Sequence, residues 1–319
     1  MLRPIRRILL QMPALALLGL LSGCGMVLLD PAGDIARQQS DLMIRSTILM
    51  LLIVVPVIVL TLVFAWRYRE SNSSAEYDPD WDHSTHVELY VWAAPLLIII
   101  AIGAMTWVTT HLLDPYRPLT QLDGDRVATD EVLHIQAVAL EWKWLFIYPE
   151  QNIAVVNELA APVDRPIRFS ITSPRIMNSL FIPTLAGMIY GMPGMKTTLH
   201  AVINEPGDYP GVSGNYSGEG YSQMRFRFKG LSNEAFDAWI ADAKDSGQRL
   251  DTARQRALAE NSVDHPVVRF ASVEAGLFEK ILNLCVQPGQ MCINEMMRRD
   301  ARAHRGEHAP ESGHGPAPY

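Results

Sequence analysis

Residues 213–229 read S-G-N-Y-S-G-E-G-Y-S-Q-M-R-F-R-F-K. The second part alternates. Met224, Phe226 and Phe228 fall on one side of an extended chain, Arg225, Arg227 and Lys229 on the other, the period of two that marks a half-buried strand. The first part is rich in Gly and Ser and has no period, so Ser213–Met224 reads as a loop leading into that strand.

The chain before this loop carries more of the same pattern. E-V-L-H-I-Q-A (131–137), W-K-W-L-F-I-Y (142–148), I-A-V-V-N-E-L (153–159), P-I-R-F-S-I-T (166–172) and K-T-T-L-H-A-V-I-N (196–204) read as strands, and Pro193-Gly194 and Pro206-Gly207 mark turns. Short strands in this density predict an all-β Greek-key sandwich over 125–230, with the Ser213–Met224 loop between its last two strands. Beyond it the period changes to that of helices. Ser232 is placed to cap a helix carrying Phe236, Trp239 and Ile240. Residues 251–260 continue helical, and Leu277, Ile281 and Leu284 share a helix face. A helical extension over 231–300 and a disordered, solvated tail over 301–319, with His304, His308 and His314, complete the expected outer part.

Before residue 111 the chain is of another kind. Arg3, Arg6 and Arg7 precede an apolar run that ends in Leu21-Ser22-Gly23-Cys24, the design of a signal peptide over 1–23. Its L-S-G-C ending resembles a bacterial lipobox, which would make Cys24 the lipidated first residue of the mature chain. After an outer segment over 24–43, two runs of membrane-spanning length follow at 44–66 and 87–110, joined by an inner loop over 67–86. Trp66, Tyr68, Trp92 and Trp107 supply interfacial aromatics, and Pro56 and Pro95 are tolerable inside such spans. Two spans from an outer start return the C-terminal half to the outer side. Glu88, at the inner start of the second span, is an acid in a place that often marks a proton path; a solvated interfacial acid is the plainer alternative.

Composition removes several functions. The 319 residues carry a net charge of −7 and no basic cluster, against nucleic-acid binding, and the three cysteines form no C-x-x-C, against a zinc ribbon or a thioredoxin-like centre. Cys285 and Cys292 could close a small disulfide loop in an oxidising compartment.

Lipobox, two-span hairpin and outer sandwich, in that order, resemble subunit II of haem-copper respiratory oxidases from about Cys24 to Phe278. Three stretches carry the likeness: T-S-P-R-I-M-N-S-L-F-I-P (172–183), the 213–224 loop, and E-W-K-W-L-F-I-Y-P-E-Q (141–151), with L-D-P-Y-R-P-L (113–119) after the second span. The resemblance implies a cupredoxin-like sandwich and, in the cytochrome c-oxidising branch, a dinuclear copper loop C-x-E-x-C-x-x-x-H-x-x-M. Counted back from Met224, Tyr221 stands at the histidine, Ser217 and Ser213 at the cysteines, and Asn215 at the glutamate. Asn178 stands where a further histidine would be. Only Met224 keeps a soft donor, and a lone thioether does not hold copper.

Loss of these ligands on a kept scaffold is similar to the quinol-oxidising branch, of the cytochrome bo type. The resemblance then implies a subunit of a proton-translocating enzyme that oxidises ubiquinol and reduces oxygen to water. No cofactor would be bound by this chain, and the haems and copper would lie in subunit I. Partners would be subunit I, the other subunits, ubiquinol and the bilayer, with no cytochrome c. Its place would be a bacterial inner membrane, as a multi-pass lipoprotein with a periplasmic C-terminal domain. It also implies that Glu88 helps form the entrance of a proton-uptake path into subunit I. Two other classes stay open at this point: a copper-containing cytochrome c oxidase subunit II, and a free-standing membrane-anchored cupredoxin-like protein that binds or delivers copper.

Overall fold

The computed structural model describes residues 27–76, 78–119 and 131–307. Cys24 and the stretch expected to be a signal peptide lie outside them, as do His308 and His314.

Two long helices come first, α1 (Asp34–Arg67) and α2 (Thr85–Leu112). At 1.5 Å per residue α1 is about 51 Å long and α2 about 42 Å, both longer than the roughly 30 Å of a hydrocarbon core. Leu, Ile and Val cover them on every side, and Pro56 and Pro95 sit within them. The apolar pattern alone begins a span at residue 44, whereas α1 starts ten residues earlier. Its first turns are not lipid-facing: Asp34, Ile35, Ala36 and Ser40 are buried against the sandwich. That tertiary contact supports a helical stretch too polar to belong to a membrane span.

The sandwich has two main sheets. Strands β1 (Leu133–Leu140), β2 (Lys143–Tyr148), β3 (Ile153–Val156), β4 (Glu158–Pro162), β5 (Ile167–Thr172), β6 (Asn178–Phe181), β7 (Ile189–Gly191), β8 (Thr197–Ala201), β9 (Gly207–Ser213) and β10 (Arg225–Leu231) build most of it. With β12 (Val268–Phe270), which follows the two-residue β11 (Arg249–Leu250), the first sheet runs β12-β3-β2-β1-β5-β8. The second runs β4-β10-β9-β6-β7. Pairing is antiparallel except for β1 with β5 and β10 with β4.

The sequence pattern suggests one strand over 153–159. The chain instead changes sheets inside it, at Asn157, whose φ of 57° turns the backbone sharply. Asn157 is suited to that left-handed corner, and its side chain fastens it, accepting from the Trp144 amide at 2.9 Å and donating to the His265 carbonyl at 2.7 Å. Between the sheets, Trp144, Phe146, Phe169, Phe226 and Phe228 are buried together. The Phe146 and Phe226 rings lie 5.0 Å apart. At roughly 25 cal/mol per Å2, each such side chain contributes about 2–3 kcal/mol.

The helical extension covers the outer face of the first sheet and one edge of the core. Helix α3 (Asn233–Asp245) is capped by Ser232, whose hydroxyl accepts from the Ala235 amide, and α4 (Thr252–Leu258) by Asp251, which accepts from the Arg254 amide. Helix α5 (Leu277–Leu282) follows the short β13 (Ser272–Val273), which pairs with β11. A second apolar cluster forms where Leu258, Leu277, Phe278 and Ile281 meet Val138, Leu145, Ile147 and Val156 on the outward face of the sheet. The last helix, α6 (Ile293–Glu307), corrects the expectation of a disordered tail from residue 301. Residues 293–305 contain no Gly or Pro, and good helix formers carry the helix to Gly306.

The sandwich is joined through backbone to the start of α1 and to the segment that follows α2. The Ala32 and Gly33 amides donate to the Thr184 carbonyl at 3.0 and 2.9 Å, and the Asn204 amide to the Ala32 carbonyl at 2.9 Å. The His200 amide donates to the Pro115 carbonyl at 3.0 Å.

Candidate functional site

The Ser213–Met224 loop leaves the end of β9, passes through a single 3-10 turn at Glu219–Gln223, and enters β10. Antiparallel pairing of β9 with β10 closes its base, where the Ser213 amide donates to the Met224 carbonyl at 3.2 Å. Pairing of β6 with β9 sets Leu180 opposite Ser213, which brings the start of β6, and so Asn178, to the same end of the sheet. The Ser213 hydroxyl donates to the Asn178 side-chain oxygen at 3.1 Å, and the Asn178 amide donates to the Ile176 carbonyl at 3.0 Å. Asn215 reaches the neighbouring Met177 carbonyl at 2.9 Å. Ser213, Asn178, Ser217 and Met224 are all buried, whereas Tyr221 is half-buried and packs edge-on to the exposed Tyr216 at 5.7 Å.

The loop is seated on Trp142. Its indole nitrogen donates to the Ser217 carbonyl at 3.0 Å. A Cβ on Gly220 would come within 2.4 Å of the indole ring, and Gly218, with φ of 109°, packs over it as well. Glycine is required at both places, one for close approach and one for a backbone that L residues avoid.

The donor set does not suit copper. A dinuclear copper centre needs bridging thiolates with imidazoles. Asn178, Ser213, Asn215, Ser217 and Tyr221 offer amides, hydroxyls and a phenol, leaving the Met224 thioether as the sole soft atom. Two of these positions are hydrogen-bonded to each other. Among the described residues no group of three or more His, Cys, Asp and Glu side chains is arranged to hold a metal ion.

Glu88 lies in the first turn of α2, where the positive end of the helix dipole favours a carboxylate. Its Oε1 is 2.8 Å from His83 Nδ1, and His83 Nε2 is 3.1 Å from the Thr85 hydroxyl. Both side chains are more than half exposed. His83 is a neighbour that sequence reasoning missed. A histidine five residues before the acid, just ahead of a helix start, was the available signal. Cys285 and Cys292 are bonded to each other with Cα atoms 4.7 Å apart, closing the turn between α5 and α6.

A buried acid and a buried lysine hold the helical extension in place. Glu158 is buried and accepts from Trp239 Nε1 at 2.8 Å, Lys229 Nζ at 2.8 Å and Arg269 Nη2 at 2.6 Å. Burial pushes its carboxyl up, but the hydrogen bonds from Lys229 and Trp239 and the Arg269 charge outweigh this and hold it below the usual range. Lys143 is 1% exposed and donates to the Leu258 and Glu260 carbonyls at 2.8 and 2.7 Å. Burial lowers its pKa, opposed by the charges of Glu141 and Glu260.

Residues 244–289 match a family model described as COX Aromatic Rich Motif. The chain is similar to cytochrome bo(3) ubiquinol oxidase subunit 2 of Pseudomonas putida, at 49% identity over 272 residues, 85% of this chain and 84% of that one. It is equally similar, at 49% over 263 residues, to ubiquinol oxidase subunit 2 of Acetobacter aceti, covering 82% and 84%. Among solved structures, the periplasmic domain of subunit II of cytochrome oxidase of Bradyrhizobium japonicum aligns at 20% identity. Its TM-score is 0.34, over 35% of this chain and 94% of that one.

Proposed function

The chain belongs to the family of cytochrome bo-type ubiquinol oxidase subunits 2, and on that premise we propose how it serves the respiratory enzyme without a redox metal of its own. Electrons come from ubiquinol inside the bilayer and pass to haem and copper in subunit I, so an outer relay for cytochrome c has no task. The observation that carries this is the 3.1 Å hydrogen bond between Ser213 and Asn178. Two positions of a would-be metal shell satisfy one another with neutral groups that do not bind copper.

The spans α1 and α2 would then pack against subunit I, with the sandwich as an outer, periplasmic cap and a lipidated Cys24 adding an anchor. Glu88 would gather protons from the inner aqueous phase and pass them through water toward subunit I. Its place in the first turn of α2, with His83 at hydrogen-bond distance, supports that role.

The test is purification of the intact complex. Quinol-driven oxygen uptake should accompany a haem-bearing membrane subunit, with no stoichiometric copper in residues 125–300. Copper bound there, or turnover with cytochrome c alone, would overturn the reading.

A further inference from the structure

Where the start of α1 and the segment after α2 reach the sandwich they leave a notch of about 110 Å3. Ile35 and Gln39 of α1 line one side, Leu113, Asp114 and Pro115 another, and His200 of β8 a third. The His200 amide holds the Pro115 carbonyl at 3.0 Å, which fixes the last two sides together. The notch is smaller than the roughly 300–1,000 Å3 of sites for whole drug-sized ligands, so it suits one polar group of a larger molecule.

Its depth in a bilayer follows from helix rise. Gln39 precedes the apolar run that opens at residue 44, and Leu113 follows the run that closes at residue 110. At 1.5 Å per residue both stand about 5–8 Å outside the hydrocarbon core, which is the depth of one headgroup layer.

The charges bordering the notch are unmatched. Pairing of β5 with β8 sets Arg168 opposite His200, and pairing of β1 with β5 sets His134 beside Arg168. Three basic side chains therefore stand in a row on the outward face of the first sheet, and like charges so placed repel. His134 has Glu150 at 3.4 Å. Arg168 is exposed with no ion pair among the described residues, and the half-buried His200 ring has no hydrogen bond there. Burial, and after it the charges of Arg168 and His134, lower the His200 pKa; an anion beside the row would relieve the second effect. On the other side of the notch Asp114 is exposed, accepts from the Tyr116 amide at 2.9 Å through Oδ1, and also has no ion pair among the described residues.

We propose that the notch holds the headgroup of one phospholipid of the ethanolamine type from the leaflet nearest the sandwich. Its phosphate accepts from Arg168 and from the His200 ring N–H, its primary ammonium donates to Asp114, and its acyl chains descend along the apolar turns of α1 and α2. The inference needs the two spans to cross a bilayer; it uses neither Glu88 nor the 213–224 loop, so it stands apart from the proton-path and electron-path readings.

The purified complex, stripped of lipid in detergent, can be titrated with phosphatidylethanolamine, phosphatidylglycerol, which lacks the ammonium, and phosphatidylcholine, whose ammonium has no N–H. Native mass spectrometry counts the lipids retained, and lipids held elsewhere in the complex cancel between unaltered and substituted forms. One phosphatidylethanolamine should be held about tenfold or more tightly than either other lipid, as the loss of charged hydrogen bonds implies. Arg168→Gln should lose that lipid, and Asp114→Asn should hold the ethanolamine and glycerol lipids alike. Equal retention of all three lipids by the unaltered complex, or retention unchanged in both variants, overturns the proposal. A photoreactive phosphatidylethanolamine on the unaltered complex gives a second reading that needs no variant. It should mark residues 113–117 or 199–201, and marking confined to other subunits overturns the proposal as well.

Discussion

Asn178 and Ser213 share a bond that neither can replace from solvent, because both are buried. Asn178→Leu leaves the buried Ser213 hydroxyl without its partner, at a cost of about 1–3 kcal/mol, while the Ile176 carbonyl keeps its bond from the Ser173 hydroxyl. Thermal denaturation of the complex should show the loss, and adding Ser213→Ala should recover part of it. An additive double substitution would mean that the two side chains act separately. Glu88 tests function rather than folding. Glu88→Gln removes the titrating group from an exposed position in the first helical turn, so assembly should be normal and proton-coupled turnover slower. Unchanged oxygen consumption and proton uptake would return Glu88 to the role of a solvated interfacial acid. At this scale the sequence carried the substitutions, since the spacing back from Met224 identifies every altered position of the loop. It did not carry the contacts that replace a metal. The Ser213–Asn178 bond spans 35 residues and depends on the pairing of β6 with β9, and Trp142 reaches the loop across 75 residues. Neither separation leaves a local signature.

Among the elements, the helical extension is held by charges whose effect can be read against pH. Glu274 accepts from Lys280 and from both the amide and hydroxyl of Thr252, and these hold its carboxyl down at about 2, against an ordinary 4.5. A folded-state value below the unfolded one stabilises the fold fully above about pH 4.5, and the benefit drains away as pH falls through that value toward 2. Melting of the full chain between pH 5 and 2.5 should therefore lose part of its acid-induced decline in Glu274→Gln; an unaltered decline would place the acid sensitivity elsewhere. The elements also mark what a linear pattern conveys. Alternation along β10 is strict because one face meets the core and the other is wet, and the cap Ser232 was visible as a residue. The break at Asn157 was not. The apolar run continues through it, and what divides β3 from β4 is a corner fixed by a hydrogen bond from β2 and another to the segment before β12.

On the scale of the whole molecule, the membrane hairpin and the sandwich meet at few points, and Gly33 is the tightest. It precedes the first turn of α1, bridges to Ile203, and donates to the Thr184 carbonyl at 2.9 Å. A Cβ there would lie 2.6 Å from the Val202 carbonyl oxygen and 2.7 Å from that of Leu185. Both obstacles are backbone, so no side chain can swing aside, and Gly33→Ala must push the start of α1 away from the sandwich. Overpacking of this kind costs roughly 1–3 kcal/mol. The strain falls on the joint and on the edge of the sandwich core, because Ala32 and Ile35 on either side of Gly33 are buried in that core. In the intact complex, proteolysis of the connection should accelerate and the sandwich should melt at a lower temperature. An unchanged melting temperature with faster proteolysis would show that the joint and the core unfold separately. Unchanged proteolysis would mean that Gly33 is replaceable and that the hold rests on the His200–Pro115 contact at the end of the second span.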